Sequence, residues 1–140
     1  GTAKVIDGDT IRIGKKKIRL FGIDAPEKEQ KCRKAWLTIS ILSFNKDYPC
    51  GQISTKKLKN KINDKFLICE WTNKDRYKRY IAECFKDKKS INSWMVEYGY
   101  AVAYRKYSRK YVSKEIFAKK EKRGLWAGTF EMPWDYRKKN

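Results

Sequence analysis

The sequence predicts an α+β, mainly β fold: a five-stranded barrel of the OB type with two to three helices. Three observations lead there. Short apolar runs of strand type recur between Ala3 and Lys86, separated by turn residues. Apolar residues at helical spacing are confined to a few segments, each with its own start or stop signal. The length of 140 residues, 41% of them apolar, suits one domain, residues 1–140, with a core of its own. Short strands with this little else to cover their edges are best served by closing on one another.

Taken in order, Ala3 to Ile6 reads as a strand, and Thr10-Ile11-Arg12-Ile13 alternates as a half-buried strand should. Gly14-Lys15 makes a hairpin turn, and Ile18 to Ile23 forms a third strand that stops at Asp24, where Pro26 stiffens the corner. Between Glu29 and Pro49 the run W-L-T-I-S-I-L fits helix or strand equally. Leu58 and Ile62 indicate a helix with Ser54 near its cap. Lys65–Thr72 and Arg79–Lys86 read as two strands joined by N-K-D-R-Y-K. A symmetric loop there sets Cys69 opposite Cys84, in reach of a cross-strand bridge, although two buried thiols would also fit. Ser90 caps a helix carrying Ile91, Trp94, Met95 and Tyr98 and closed by Gly99. Ser113 to Arg123 is a further helix, closed by Gly124, and the basic end R-K-K-N is expected to fray.

Charge narrows the function. Lys and Arg number 35 against 16 Asp and Glu, a net charge of +19, which calls for an anionic partner. Tyrosines alternate with cations in Y-R-K-Y-S-R-K-Y, 104 to 111. That favours nucleic acid over membrane, because bases stack on rings while cations meet phosphates. No amphipathic helix has a clean apolar face of the membrane-surface kind, and no apolar run approaches a membrane span. Histidine is absent, so Ser–His and Cys–His pairs, His-ligated zinc and a His general base are excluded. The four cysteines form no C-x-x-C, which argues against zinc ribbons, and their even number fits two disulfides in an oxidising compartment.

Against this basic background, V-I-D-G-D-T and D-A-P-E place Asp7, Asp9, Asp24 and Glu27 at two tight corners. D-G-D-T alone also fits an ordinary Asx turn. If the two corners converge, the carboxylates must hold a cation or pair with arginine. Hard oxygen donors without histidine select calcium or magnesium. Arg19 leads into Asp24 and Arg79 opens the last long strand, and guanidinium forks match phosphate oxygens. A cation, a carboxylate free to act on water and two arginines are the parts of phosphodiester hydrolysis.

Together V-I-D-G-D-T, I-R-L-F-G-I-D-A-P-E and D-R-Y-K-R-Y resemble the staphylococcal nuclease (thermonuclease) family. The likeness continues through G-Y-A-V-A-Y-R-K-Y-S and G-L-W-A-G-T-F-E-M-P-W, similar to its secreted bacterial branch. The resemblance implies an OB barrel and a Ca2+-dependent endonuclease that cuts DNA and RNA to 3′-phosphate and 5′-hydroxyl ends. Single-stranded or loosely paired substrates would be preferred. It assigns Asp9, Asp24 and the Ala25 carbonyl as calcium ligands, with Asp7 supporting the corner. Glu27 would orient or deprotonate the attacking water. Arg19 and Arg79 would hold the phosphate, Tyr77 would lie beside it, and Tyr104 and Tyr107 would stack on bases. The staphylococcal member of the family has Thr where this chain has Ala25, a change a carbonyl ligand tolerates.

The segment between Cys32 and Cys50 departs from the family pattern, and a Cys32–Cys50 bridge closing it would add ~3 kcal/mol in the loop-entropy model. The first strand looks short at its start. No leader is visible in this sequence, and the secreted or periplasmic location that the resemblance implies expects one to have stood before Gly1. A monomer is expected. The competing reading is a non-catalytic nucleic-acid-binding module of the same fold. The presence together of Asp9, Asp24, Glu27, Arg19 and Arg79 favours the enzyme.

Overall fold

Three consecutive strands, β1 (Lys4–Asp7), β2 (Thr10–Ile13) and β3 (Lys16–Leu20), form an antiparallel meander. The computed structural model describes residues 1–39 and 42–140. After β4 (Ile23–Asp24), the antiparallel pair β5 (Cys32–Ile39) and β6 (Leu42–Tyr48) projects as a sheet of its own. Strand thus takes most of W-L-T-I-S-I-L, of which Ser40 and Ile41 lie outside the described residues. Helix α1 (Cys50–Ile62) follows, then β7 (Ile68–Lys74) and β8 (Tyr80–Lys86). The main sheet runs β1-β2-β3-β8-β7, with β9 (Lys89–Ser90) on β8.

The five strands of an OB-type barrel are expected to pair antiparallel throughout; at the centre of this sheet, however, β3 and β8 are parallel, Ile18 facing Tyr80 and Leu20 facing Ala82. A long crossover through β5, β6, α1 and β7 lets the chain return in the same direction. The α+β, mainly β class stands, with one helix more than expected: α2 (Ile91–Glu97), α3 (Val112–Lys120) and α4 (Pro133–Lys139) complete the set. Between α2 and α3, β10 (Val102–Ala103) pairs with β4 and so holds Asp24 opposite Val102.

Ile11, Ile18, Leu20 and Ile23 pack with Leu58 and Ile62 of α1 and with Ile91, Met95 and Val96 of α2, all essentially inaccessible. The buried Asn92 amide bolts β3 to β8: it donates to the Phe21 and Ala82 carbonyls and accepts from the Cys84 N–H. Cys69 and Cys84 are directly opposed and bridged, with Cα atoms 4.0 Å apart. The second disulfide joins Cys32 to Cys50. Around it, Val102 and Leu125 collect Tyr48, Trp126, Phe130, Met132 and Trp134 into a smaller core. No helix among the described residues is long and apolar enough to cross a membrane.

Ser90 caps α2 as expected, accepting from the Ser93 N–H. Helix α1, however, starts at Cys50, after Pro49, four residues before the expected cap. Ser54 is instead buried inside the helix and donates to the Tyr100 carbonyl. Helix α3 ends at Lys120, and Gly124 opens a short 3-10 turn, Gly124–Ala127, rather than closing the helix. The largest correction is at the C-terminus. R-K-K does not fray; it belongs to α4, which has Pro133 in its first turn, a position where the missing N–H costs nothing.

Candidate active site

Two tight corners meet because glycine lets them. A Cβ on Gly8 would lie 2.6 Å from the Ala25 Cβ and 3.1 Å from the Ser54 Cβ. The turn between β1 and β2 can therefore sit against both the D-A-P-E corner and α1. Likewise a Cβ on Gly51 would strike the Glu27 carbonyl at 1.7 Å, so the first turn of α1 supports that corner from below. Gln30, also buried, accepts from the Glu27 N–H and donates to the Glu131 carbonyl.

Asp7, Asp9, Asp24 and Ala25 are thereby joined. The Asp9 carboxylate accepts from the Ala25 N–H at 2.8 Å and from the Thr10 hydroxyl at 3.1 Å, and Asp7 accepts from the Asp9 N–H. Asp9 is 7% exposed and Asp24 not at all. Arg19 crosses between them, its Nη2 3.4 Å from Asp9 and 3.2 Å from Asp24. Its other terminal nitrogen donates to the Leu20 and Ile23 carbonyls and fixes the fork.

A second guanidinium, missed in the sequence, completes the cluster. Arg137 of α4 donates to both Asp24 oxygens at 2.8 Å and to Glu27 at 3.0 Å. The signal that could have found α4 was M-P-W-D, a proline at a helix start followed by an acid in the first turn.

Burial and the adjacent Asp9 charge push the Asp7 carboxyl up to about 7. Burial pushes Asp9 up too, but the Arg19 charge and hydrogen bonds from its neighbours outweigh it and hold Asp9 below the usual carboxyl range. Burial likewise raises Asp24, against the pull of Arg137 and Arg19. Burial alone would lower the Arg137 guanidinium; Asp24 and Glu27 reverse this and push it up.

The donors fit a hard divalent cation in kind, since Asp9 and Asp24 meet on one nitrogen of Arg19 and every donor they offer is oxygen. Among the described residues, however, no three acidic side chains form an open cation cage. The carboxylates are shared among guanidiniums instead.

The remaining site residues lie apart from this cluster in their contacts. Arg79 pairs with Asp75 at 2.8 Å, and Asp75 also accepts from the Tyr77 and Arg79 N–H groups, which fixes the turn. Tyr77 is 64% exposed, with Arg76 and Arg79 against its ring. Tyr104 stacks on Trp134, with ring centroids 5.1 Å apart and planes 9° from parallel. Tyr107 meets Tyr104 edge-on.

A family model described as staphylococcal nuclease homologue matches residues 17–128. The succinoglycan biosynthesis protein ExoI of Rhizobium meliloti is 37% identical over 135 residues, which take in 90% of this chain and 63% of that protein. An "Uncharacterized endonuclease" of Escherichia coli is 32% identical over 145 residues, covering 96% of this chain and 83% of that one. The "Probable staphylococcal-like nuclease CAN3" of Oryza sativa subsp. japonica is 29% identical over 133 residues, 93% of this chain and 30% of its own. The chain thus spans less than two thirds of ExoI and most of the Escherichia coli protein. It belongs to the staphylococcal nuclease homologue family.

Proposed function

We propose that this chain is a single-domain, Ca2+-dependent endonuclease that hydrolyses DNA and RNA to 3′-phosphate and 5′-hydroxyl ends. The observation that carries the reading is the meeting of buried Asp9 and Asp24 on one arginine in a member of this family. Asp9, Asp24 and the Ala25 carbonyl would hold the ion, and Asp7 would brace the Asp9 turn through the Asp9 N–H. When bound, calcium would offset the negative charge of the scissile phosphate. Glu27, the most accessible carboxylate bonded to Arg137, takes the proton from the attacking water. Water oxygen bonds to phosphorus, the bond to the 5′ oxygen breaks, and that oxygen takes a proton from solvent to leave as a hydroxyl, while Glu27 returns its proton to solvent. Arg19 and Arg79 bind phosphate oxygens as charge grows on them. Tyr77 lies beside the phosphate, and Tyr104 and Tyr107 offer rings to bases of single-stranded or loosely paired substrates. The two disulfides fit an oxidising compartment, and secretion or a periplasmic location follows from that.

Plasmid digestion across a calcium titration, with a chelator as control, tests this reading. Cleavage that rises with calcium and stops on chelation is expected. Cleavage indifferent to chelation overturns the metal assignment. Nucleic acid bound but never cut, at any calcium concentration, leaves the non-catalytic module.

A further inference from the structure

We propose that α4 is a tethered occupant of the site, with Arg137 holding Asp24, a ligand of the divalent cation, and Trp134 in the place of a stacked base. Both must withdraw before calcium and nucleic acid enter. The proposal rests on the reading of Asp24 and Tyr104 given above. Two independent contacts carry it. Arg137 engages both oxygens of Asp24, an otherwise inaccessible carboxylate, and reaches Glu27 as well. Trp134 lies on Tyr104 as a base would, with ring centroids 5.1 Å apart and planes 9° from parallel. One short helix therefore blocks the acidic corner and the stacking ring together.

The helix is held at its root by backbone hydrogen bonds and along its length by side chains, among them Lys139, which pairs with Glu131 at 3.0 Å. Arg33 and Thr129 exchange backbone hydrogen bonds, at 2.9 and 2.8 Å, beside the Cys32–Cys50 bridge. The Gln30 amide holds the Glu131 carbonyl. Beyond that anchor, α4 is seven residues long, far below the length at which a helix persists alone in water. Arg137 is 37% exposed while Asp24 is fully buried, so a released guanidinium passes directly into water. A fixed root with a weakly stable tip keeps the effective concentration of Arg137 high while allowing release.

The test is calcium binding by titration calorimetry on the intact chain, compared among wild type, Arg137→Gln, Trp134→Ala and Lys138→Gln. Removing an internal competitor raises apparent affinity by the inverse of the fraction of sites it had left open, on the order of tenfold for Arg137→Gln. Trp134→Ala leaves every carboxylate and guanidinium in place and is expected to tighten calcium in the same direction. Lys138→Gln removes an equal charge from the same helix and is expected to change affinity less than twofold, on the order of the screened effect of one surface charge. In parallel, 19F spectra of protein labelled with 5-fluorotryptophan, assigned with Trp134→Phe, report α4 directly. Saturating calcium is expected to shift the Trp134 signal to a solvent-exposed position. Equal calcium affinity in all four proteins, or a Trp134 signal unmoved by bound calcium, overturns the occupant while leaving the metal reading intact. No calcium binding by any of the four removes the metal reading, and this proposal with it.

Discussion

Replacing Arg19 by methionine isolates the electrostatics on which the site is built. The side-chain exposures are 13% for Arg19, 10% for Asp9 and 0% for Asp24, so this is a buried network, little screened by salt. Breaking such a network by removing one partner costs about 3–5 kcal/mol, mostly from the charge left behind. Asp24 retains Arg137, and Asp9 loses the one guanidinium that it meets among the described residues, so the low end, about 3 kcal/mol, applies. With a urea dependence of about 2 kcal/mol per molar, the unfolding midpoint in chelator should fall by about 1.5 M. Asp9 titrates below the ordinary carboxyl value because Arg19 and its hydrogen bonds outweigh burial. Its contribution is therefore complete above that ordinary value of about 3.9 and is lost as the pH falls through the lower folded value. The deficit of Arg19→Met should be full at neutral pH and shrink in acid. Urea denaturation at a series of pH values, followed by tryptophan fluorescence, measures both. A midpoint lowered by less than about 0.5 M at pH 7, or a deficit that grows in acid, would refute the reasoning.

Glu27→Gln should lower the cleavage rate by on the order of 10²–10⁴ while oligonucleotide affinity holds, as expected of a lost general base; single-turnover rates set beside binding titrations decide it. Arg79→Ala should cost on the order of 10²–10³ in rate but no more than about 1 kcal/mol in stability, because its pair with Asp75 is partly exposed and the Tyr77 N–H still holds the turn. A large melting shift with unchanged specific activity would reverse that assignment. Nucleic-acid affinity should fall linearly in log–log plots against salt, steeply enough to register several phosphate contacts; a flat response, measured with a non-cleaved oligonucleotide in chelator, would deny the basic footprint.

Local rules carried the sequence reading a long way and failed where a distant contact decides. The alternation of Thr10 to Ile13 and the symmetric loop between Cys69 and Cys84 are near-neighbour signals, and both led to the right pairing. The parallel register of β3 with β8 was not legible, because it is fixed by everything between them rather than by either strand. Ser54 misled for a similar reason. Its residue type suits a cap, but the Cys32–Cys50 bridge and Pro49 start α1 earlier and leave the hydroxyl to Tyr100. Convergence of the acidic corners was anticipated only as a condition, and the device that satisfies it, the near-contact of Gly8 with Ala25 and Ser54, involves three separate segments. Arg137 was invisible by composition: in a chain with 35 basic residues, one more cation near the end carries no signal until the helix that aims it is known.

The same contact explains how so basic a protein keeps an acidic pocket folded without metal. Buried carboxylates repel one another and lose hydration, so an uncompensated cluster would drive the corner apart. Arg19 alone must serve both Asp9 and Asp24, and Glu27 lies beyond its described hydrogen bonds. Arg137 supplies the missing positive charge to Asp24 and Glu27 from the chain itself. A divalent ion brings more charge than the guanidinium it would displace and needs no helix ordered to hold it. On the proposed exchange, calcium would replace Arg137 on Asp24 with a stronger external cation, at a cost limited to releasing seven residues. Deleting the internal cation should thus lower stability in chelator and restore it as calcium is added, a crossover that equilibrium unfolding of Arg137→Gln would show as a larger calcium-induced midpoint shift than in wild type.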